Sequence, residues 1–401
     1  MRSHVLLLSL SLTLSQTAVA GEGKDPGAVA YGPKGLMISD GAGNNTLALN
    51  LRFEPRVDIG FSGDPDAADA DKIDVAAFRI RRALLRAEGR IGKDFVYRFR
   101  IDAAKGFSFT DADGVKQTAS RPILDDAQVG WNGFKPFQVY VGQWKVPFIA
   151  GWITGTDQLA FAEQSTVVDG IKSGDTKIAG FGYSRDIGAA VQGTVAGERF
   201  DYAVGVFNGA GANTLPSDLG VLTVARVQAT PMGKFAYDEL DLERGAPRLG
   251  VGLGVGWNHR AVFTDAGDND GANEDVRVNG DVRFAASGFT VVGEVVYDHA
   301  HTANVDDPAR RLGAYGMLTY VTPFFVAPAV RVSWVDPSID AQDDAALTAD
   351  VALNVLIPDA TQKGGTMGHH VRVLADWNAT WVGSAKQPLG HLLTVGAAFT
   401  F

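Results

Sequence analysis

The chain has 401 residues, among them 48 Gly and no Cys, and a formal net charge of −10. The lack of Cys suits an envelope protein that does not rely on disulfides, and no nucleic-acid partner or cofactor is expected. Beyond the first 20 residues there is no apolar run of the ~20 residues that a membrane-spanning helix needs.

In chain order, the first element is Met1-Arg2-Ser3-His4, an apolar run from Val5 to Leu14, and Ala18-Val19-Ala20. A charged start, a short apolar core and an A-x-A site predict a secretory signal peptide over 1–20. Residues 21–45 then lead into a barrel expected over 46–401. Its first strand shows the pattern. Leu47, Leu49, Leu51, Phe53, Pro55, Val57, Ile59 and Phe61 alternate with Ala48, Asn50, Arg52, Glu54, Arg56, Asp58 and Gly60. Alternate side chains of a strand face opposite sides, so one face is oily and the other carries ions.

The same alternation predicts about sixteen strands: 46–61, 73–91, 94–104, 123–132, 136–144, 187–196, 199–208, 221–231, 247–260, 275–287, 289–299, 310–322, 324–335, 347–357, 368–382 and 390–401. The last strand ends on Phe399-Thr400-Phe401, which resembles the assembly signal of bacterial outer-membrane barrels. The fold class is therefore all-β, a transmembrane antiparallel β-barrel in the bacterial outer membrane. Closure removes exposed strand edges. Short connections such as Gly92-Lys93 and Gly197-Glu198 alternate with long ones such as 145–186, as short periplasmic turns and longer external loops would. Two connections, 232–246 and 358–367, are long where a turn is due, which leaves 14 or 18 strands open. The acidic long loops read as solvated tips, with a divalent-cation contact to lipopolysaccharide as the alternative. Asp265 to Asp270 has some calcium-loop character without EF-hand spacing.

A charge on the lipid face costs ~2–4 kcal/mol at the bilayer midplane, so the charged parity of each strand faces inward. That rule assigns Arg52, Arg56, Arg98, Arg100, Arg226, Arg277, Arg283, Arg331 and Arg372 to the pore wall. Arg on a low-dielectric wall attracts anions. Inward Glu54, Asp58, Asp102, Asp281, Glu294, Asp298 and Asp376 would neutralise many of them. An outer-membrane enzyme is the competing class. Asp298, His299 and His301 could serve it, but no convincing nucleophile accompanies them. Gly250 to Gly256 has neither the Lys nor the helix of a nucleotide loop.

Four tracts carry a family resemblance: Gly32 to Gly60, Phe78 to Gly89 followed by Lys93 to Phe99, Asp126 to Phe148 with its run Val141-Gly142-Gln143-Trp144-Lys145-Val146-Pro147-Phe148, and Tyr202 to Gly209. They resemble the phosphate-selective porin O and P family. The resemblance implies a sixteen-stranded, usually homotrimeric porin whose third external loop folds into the lumen. It implies passive diffusion of small anionic solutes, phosphate or polyphosphate, with a general diffusion porin as the alternative. Its constriction would map onto Arg81, Arg82 and Lys145, and more loosely onto Lys172 and Ser173. Strict alternation would send adjacent Arg81 and Arg82 to opposite faces; a bulge would turn both inward.

Overall fold

The computed structural model describes residues 27–32, 35–62, 73–110, 116–120, 123–173, 176–216, 220–263, 269–303, 305, 307–358, 369–385 and 388–401. The expected signal peptide lies outside them. Strands β1 (Ala28–Gly32) and β2 (Gly35–Ser39) form an N-terminal hairpin. The barrel begins with β3 (Thr46–Ser62), β4 (Ile73–Ile91) and β5 (Phe95–Asp102). A hairpin arm follows, of β6 (Gly106–Thr110) and β7 (Lys116–Ser120). The wall continues with β8 (Ile123–Phe134) and β9 (Phe137–Lys145). The third external loop carries helices α1 (Ala150–Ile153) and α2 (Thr166–Asp169) and the short pair β10 (Ile171–Ser173) and β11 (Thr176–Ile178). Then come β12 (Arg185–Val195), β13 (Phe200–Phe207), β14 (Gly220–Ala229), β15 (Arg248–Phe263), β16 (Asn269–Ala286) and β17 (Phe289–His301). The wall ends with β18 (Ala309–Tyr320), β19 (Val326–Asp336), β20 (Ala346–Pro358), β21 (His369–Val382) and β22 (Gly390–Thr400).

Sixteen of these strands pair antiparallel with their neighbours, and β22 pairs with β3 to close the ring. Each of the sixteen expected segments is one barrel strand. The largest difference is in β16, which starts at Asn269 rather than 275 because its ladder with β15 continues out to Phe263↔Asn269. At the seam, Phe401 and Leu51 exchange backbone hydrogen bonds at 2.8 and 3.0 Å. Below that point β2 takes over as the partner of β3, from Leu36↔Leu49 to Ser39↔Thr46. Gly35 makes the handover: its φ is +82°, and a Cβ there would sit 2.1 Å from the Leu49 carbonyl oxygen.

Exposure follows the parity. On β16, Val276, Val278, Val282 and Phe284 are exposed, while Asn279, Asp281 and Arg283 are buried. The outer face is an apolar band and the inner face is ionic. The connection between β14 and β15 departs from the short-turn rule because it folds into the barrel. Phe235 and Leu240 are buried, and the Asp241 carboxylate accepts from Gly288 N at 2.8 Å. The other long connection, 358–367, lies almost wholly outside the described residues.

The face assignment yields a direct expectation. Val278→Arg, midway along β16 on the lipid face, lowers stability by ~2–4 kcal/mol. Denaturant titration of the variant refolded into lipid vesicles measures the loss.

Candidate functional site

The bulge at the basic pair has a visible cause. Pro55 on β3 lacks the N–H that a continuous ladder requires. The register slips there, from Glu54↔Arg82 to Pro55↔Ile80, and Arg81 is the extra residue. Both guanidiniums consequently reach one carboxylate on the third loop. Arg81 donates to Glu163 Oε1 and Oε2 at 2.5 and 2.8 Å, and Arg82 to Oε2 at 3.1 Å. Arg56 donates to Oε1 at 2.7 Å. Glu54 accepts from Arg52 and Arg82 at 2.5 and 2.6 Å, and Asp58 pairs with Arg56 and Arg79. The cavity beside this cluster, lined by Glu54, Arg56, Arg81, Arg372 and Thr394, is about 30 Å³. That is room for a water or two.

Glu163 is the residue that sequence reasoning missed. Burial raises its carboxyl, but the Arg81 hydrogen bonds and the charges of Arg82, Arg81 and Arg56 outweigh burial and hold it down to about 2. Its folded value lies below the ordinary 4.5, so its contribution is complete above that pH and is lost as pH falls through about 2.

The rest of the third loop is held in the same way, by the inward faces of distant strands. Glu294 accepts from Ala150 N and Gly151 N at 2.7 and 2.9 Å, and Asp376 accepts from Ala162 N at 2.8 Å. Glu239, on the infolded β14–β15 connection, accepts from Ala160 N at 2.7 Å. In the other direction, Arg226 donates to Phe148 O, Arg331 to Glu163 O and Arg277 to Phe181 O, at 3.0, 3.2 and 3.0 Å. Arg372 donates to Leu159 O. Arg283 donates to Thr154 Oγ1 at 2.9 Å. The loop's apolar side chains Phe148, Phe161, Val167 and Phe181 are buried in the same interior. A loop with buried backbone needs such partners for every N–H and C=O.

The expected pore-wall arginines thus face inward but are mostly covered. Arg52, Arg56, Arg100, Arg226, Arg283, Arg331 and Arg372 are buried. Arg226 pairs with Asp281 at 2.6 Å, Arg331 with Asp350 at 3.0 Å, Arg100 with Asp125 at 2.9 Å and Arg277 with Asp275 at 3.2 Å. Arg98 is the exposed one and pairs with Glu88 at 3.1 Å. Lys145 differs again. Its Nζ donates to the carbonyls of Trp152 and Thr154 at 2.6 and 2.7 Å and has no carboxylate within ion-pair reach among the described residues. Two further cations on β4 share that lack, half-buried Arg86 and exposed Arg90. The backbones of Lys172 and Ser173 form β10 against β11; their side chains lie outside what is described.

Residues 50–244 match the family model of phosphate-selective porin O and P. The chain is an outer-membrane porin that matches this family over just under half of its length. No curated protein matches the sequence. Among solved structures, the porin is similar to an anion-selective porin from Comamonas acidovorans, at 11% identity, 89% of this chain, 100% of that chain and a TM-score of 0.57. It is also similar to the trimer form of OmpT from Vibrio cholerae, at 11% identity, 88% and 99% coverage and a TM-score of 0.56. The outer-membrane channel DcaP of Acinetobacter baumannii compares at 13% identity, 90% and 99% coverage and a TM-score of 0.52. These likenesses show the barrel fold. Family and fold together make the porin a channel rather than an enzyme. Asp298, which the competing enzyme reading would have used, is paired with Arg311.

Glu163→Ala leaves three guanidiniums around a missing carboxylate. The expected cost is ~2 kcal/mol, below the figure for a fully buried pair because Glu163 is partly exposed. The expected channel signature is noisier single-channel current from a loosened loop. In the wild type, current noise stays constant from pH 7 to pH 4 and rises only as pH approaches about 2.

Proposed function

We propose that this porin passes small anions in preference to cations, with inorganic phosphate among its solutes, and assembles as a trimer in contact with lipid and lipopolysaccharide. The observation that carries the reading is how accessibility sorts the charges. Buried acids of the lumen are held by backbone N–H groups or by Arg. Among the described residues, Arg283 and Arg372 lack a carboxylate partner but are buried under the third loop, whereas Arg86, Arg90 and Lys145 on β4 and β9 lack one and keep some exposure. A positive excess on a low-dielectric wall raises the local anion concentration. The anion-selective porin of similar fold supports the same preference, and the trimeric OmpT form supports the assembly. Phosphate as a solute rests on the family resemblance.

In this reading Arg81 and Arg82 act on the path indirectly, by fixing Glu163 and with it the third loop. Arg86, Arg90, Arg98 and Lys145 act on the solute, as successive weak contacts that admit an ion and release it. Reversal potential in a planar bilayer across a KCl gradient separates the two roles. The wild type reverses on the anion side. Arg86→Ala with Arg90→Ala moves the reversal potential toward zero. Arg81→Ala with Arg82→Ala mainly raises conductance noise. A wild-type reversal potential at zero points instead to a general diffusion porin.

A further inference from the structure

We infer that the periplasmic end of the lumen contains a subsite for a small organic anion with a flat apolar body. A cavity of about 340 Å³ lies there, lined by the inward faces of β2, β3, β4, β5, β8 and β9. Pockets for small molecules begin at ~300 Å³. Two adjacent cross-strand rows build it. One runs Met37↔Ala48↔Glu88↔Arg98↔Gln128, and the other Thr46↔Arg90↔Val96↔Gly130↔Tyr140. Glu88 is paired with Arg98, so Arg90 leaves the cavity one positive charge in excess.

The far wall is aromatic. A Cβ at position 130 would lie 2.4 Å from the Tyr140 ring, so Gly130 lets that ring rest against the sheet. The Tyr140 hydroxyl is turned to Gln138 Oε1 at 3.1 Å, which leaves the ring as the lining surface. Three strand spacings separate the Arg90 and Tyr140 backbones, ~14 Å. An extended Arg side chain and a Tyr ring narrow that gap to about the length of one small molecule. A carboxylate at Arg90, with hydrogen bonds from Gln128 or Asn132, and a planar body against Tyr140 and Val96 fit this arrangement. Inorganic phosphate uses the charge and not the ring.

Isothermal titration of full-length porin in detergent with sodium benzoate, sodium acetate and inorganic phosphate tests the assignment. Benzoate is expected to bind about tenfold more tightly than acetate or phosphate. Arg90→Ala lowers benzoate affinity about tenfold. Tyr140→Ala abolishes the advantage of benzoate and leaves acetate unchanged. Gly130→Ala, which displaces the ring, has the same effect as Tyr140→Ala. Heat-modifiable gel mobility confirms that each variant is folded. Equal binding of benzoate and acetate, or Arg90→Ala binding like the wild type, overturns the subsite. The reading is separable from anion preference, because a null reversal potential with selective benzoate binding removes that preference and keeps the subsite.

Discussion

A loop that enters a barrel carries its N–H and C=O groups away from bulk water, and each needs a partner there. In this porin the partners are the ionised side chains of the wall. Carboxylates of Glu294, Glu239 and Asp376 take the loop's N–H groups, and Arg226, Arg331, Arg277 and Arg372 meet its carbonyls. Glu163 returns a charge from the loop to Arg56, Arg81 and Arg82. The position of the loop, the size of the opening and the set of accessible cations all depend on this exchange. Buried ion pairs of this kind contribute little net stability against an apolar core. What they provide here is one geometry for a segment that is otherwise free to hang outside.

The strands were legible because their signal is local. Period-two alternation repeats over each segment, and the lipid penalty on charge determines which parity faces in. The bulge at Arg81 had a local cue as well, since Pro55 interrupts the opposing strand. The role of the inward arginines was not legible. Their partners are remote in sequence: Glu163 lies 82 residues from Arg81 and 107 from Arg56. Parity says that a side chain faces the lumen and says nothing of what fills it. Infolding of the β14–β15 connection was signalled only as a length out of place. Glu239 and Asp241, the residues that seat it, resemble ordinary acidic loop positions.

Function then follows from what the anchoring leaves over. Most inward arginines are covered or neutralised, so a count of basic residues overstates the positive field that a solute meets. The partly exposed cations without a carboxylate partner on β4 and β9 run from Lys145 and Arg86 down to Arg90, which lines the periplasmic cavity. A narrow path with weak successive contacts suits passive diffusion. In the proposed reading the loop's rigidity sets the width of that path, and the partly exposed cations of β4, β5 and β9 set its preference.

The central claim is that the wall's charges hold the third loop inside the barrel. Because the chain has no Cys, a single introduced thiol reports on one position. Ala160 is fully buried between Glu239 and Asn354, whereas Gln342 is exposed in an external loop. The decisive measurement is the rate at which a bulky, membrane-impermeant maleimide labels Ala160→Cys and Gln342→Cys in the folded porin. The account predicts rapid labelling at 342, protection at 160, and loss of that protection when Arg331 and Arg372 are changed to Ala. Equal rates at the two positions in the otherwise unaltered porin would contradict it.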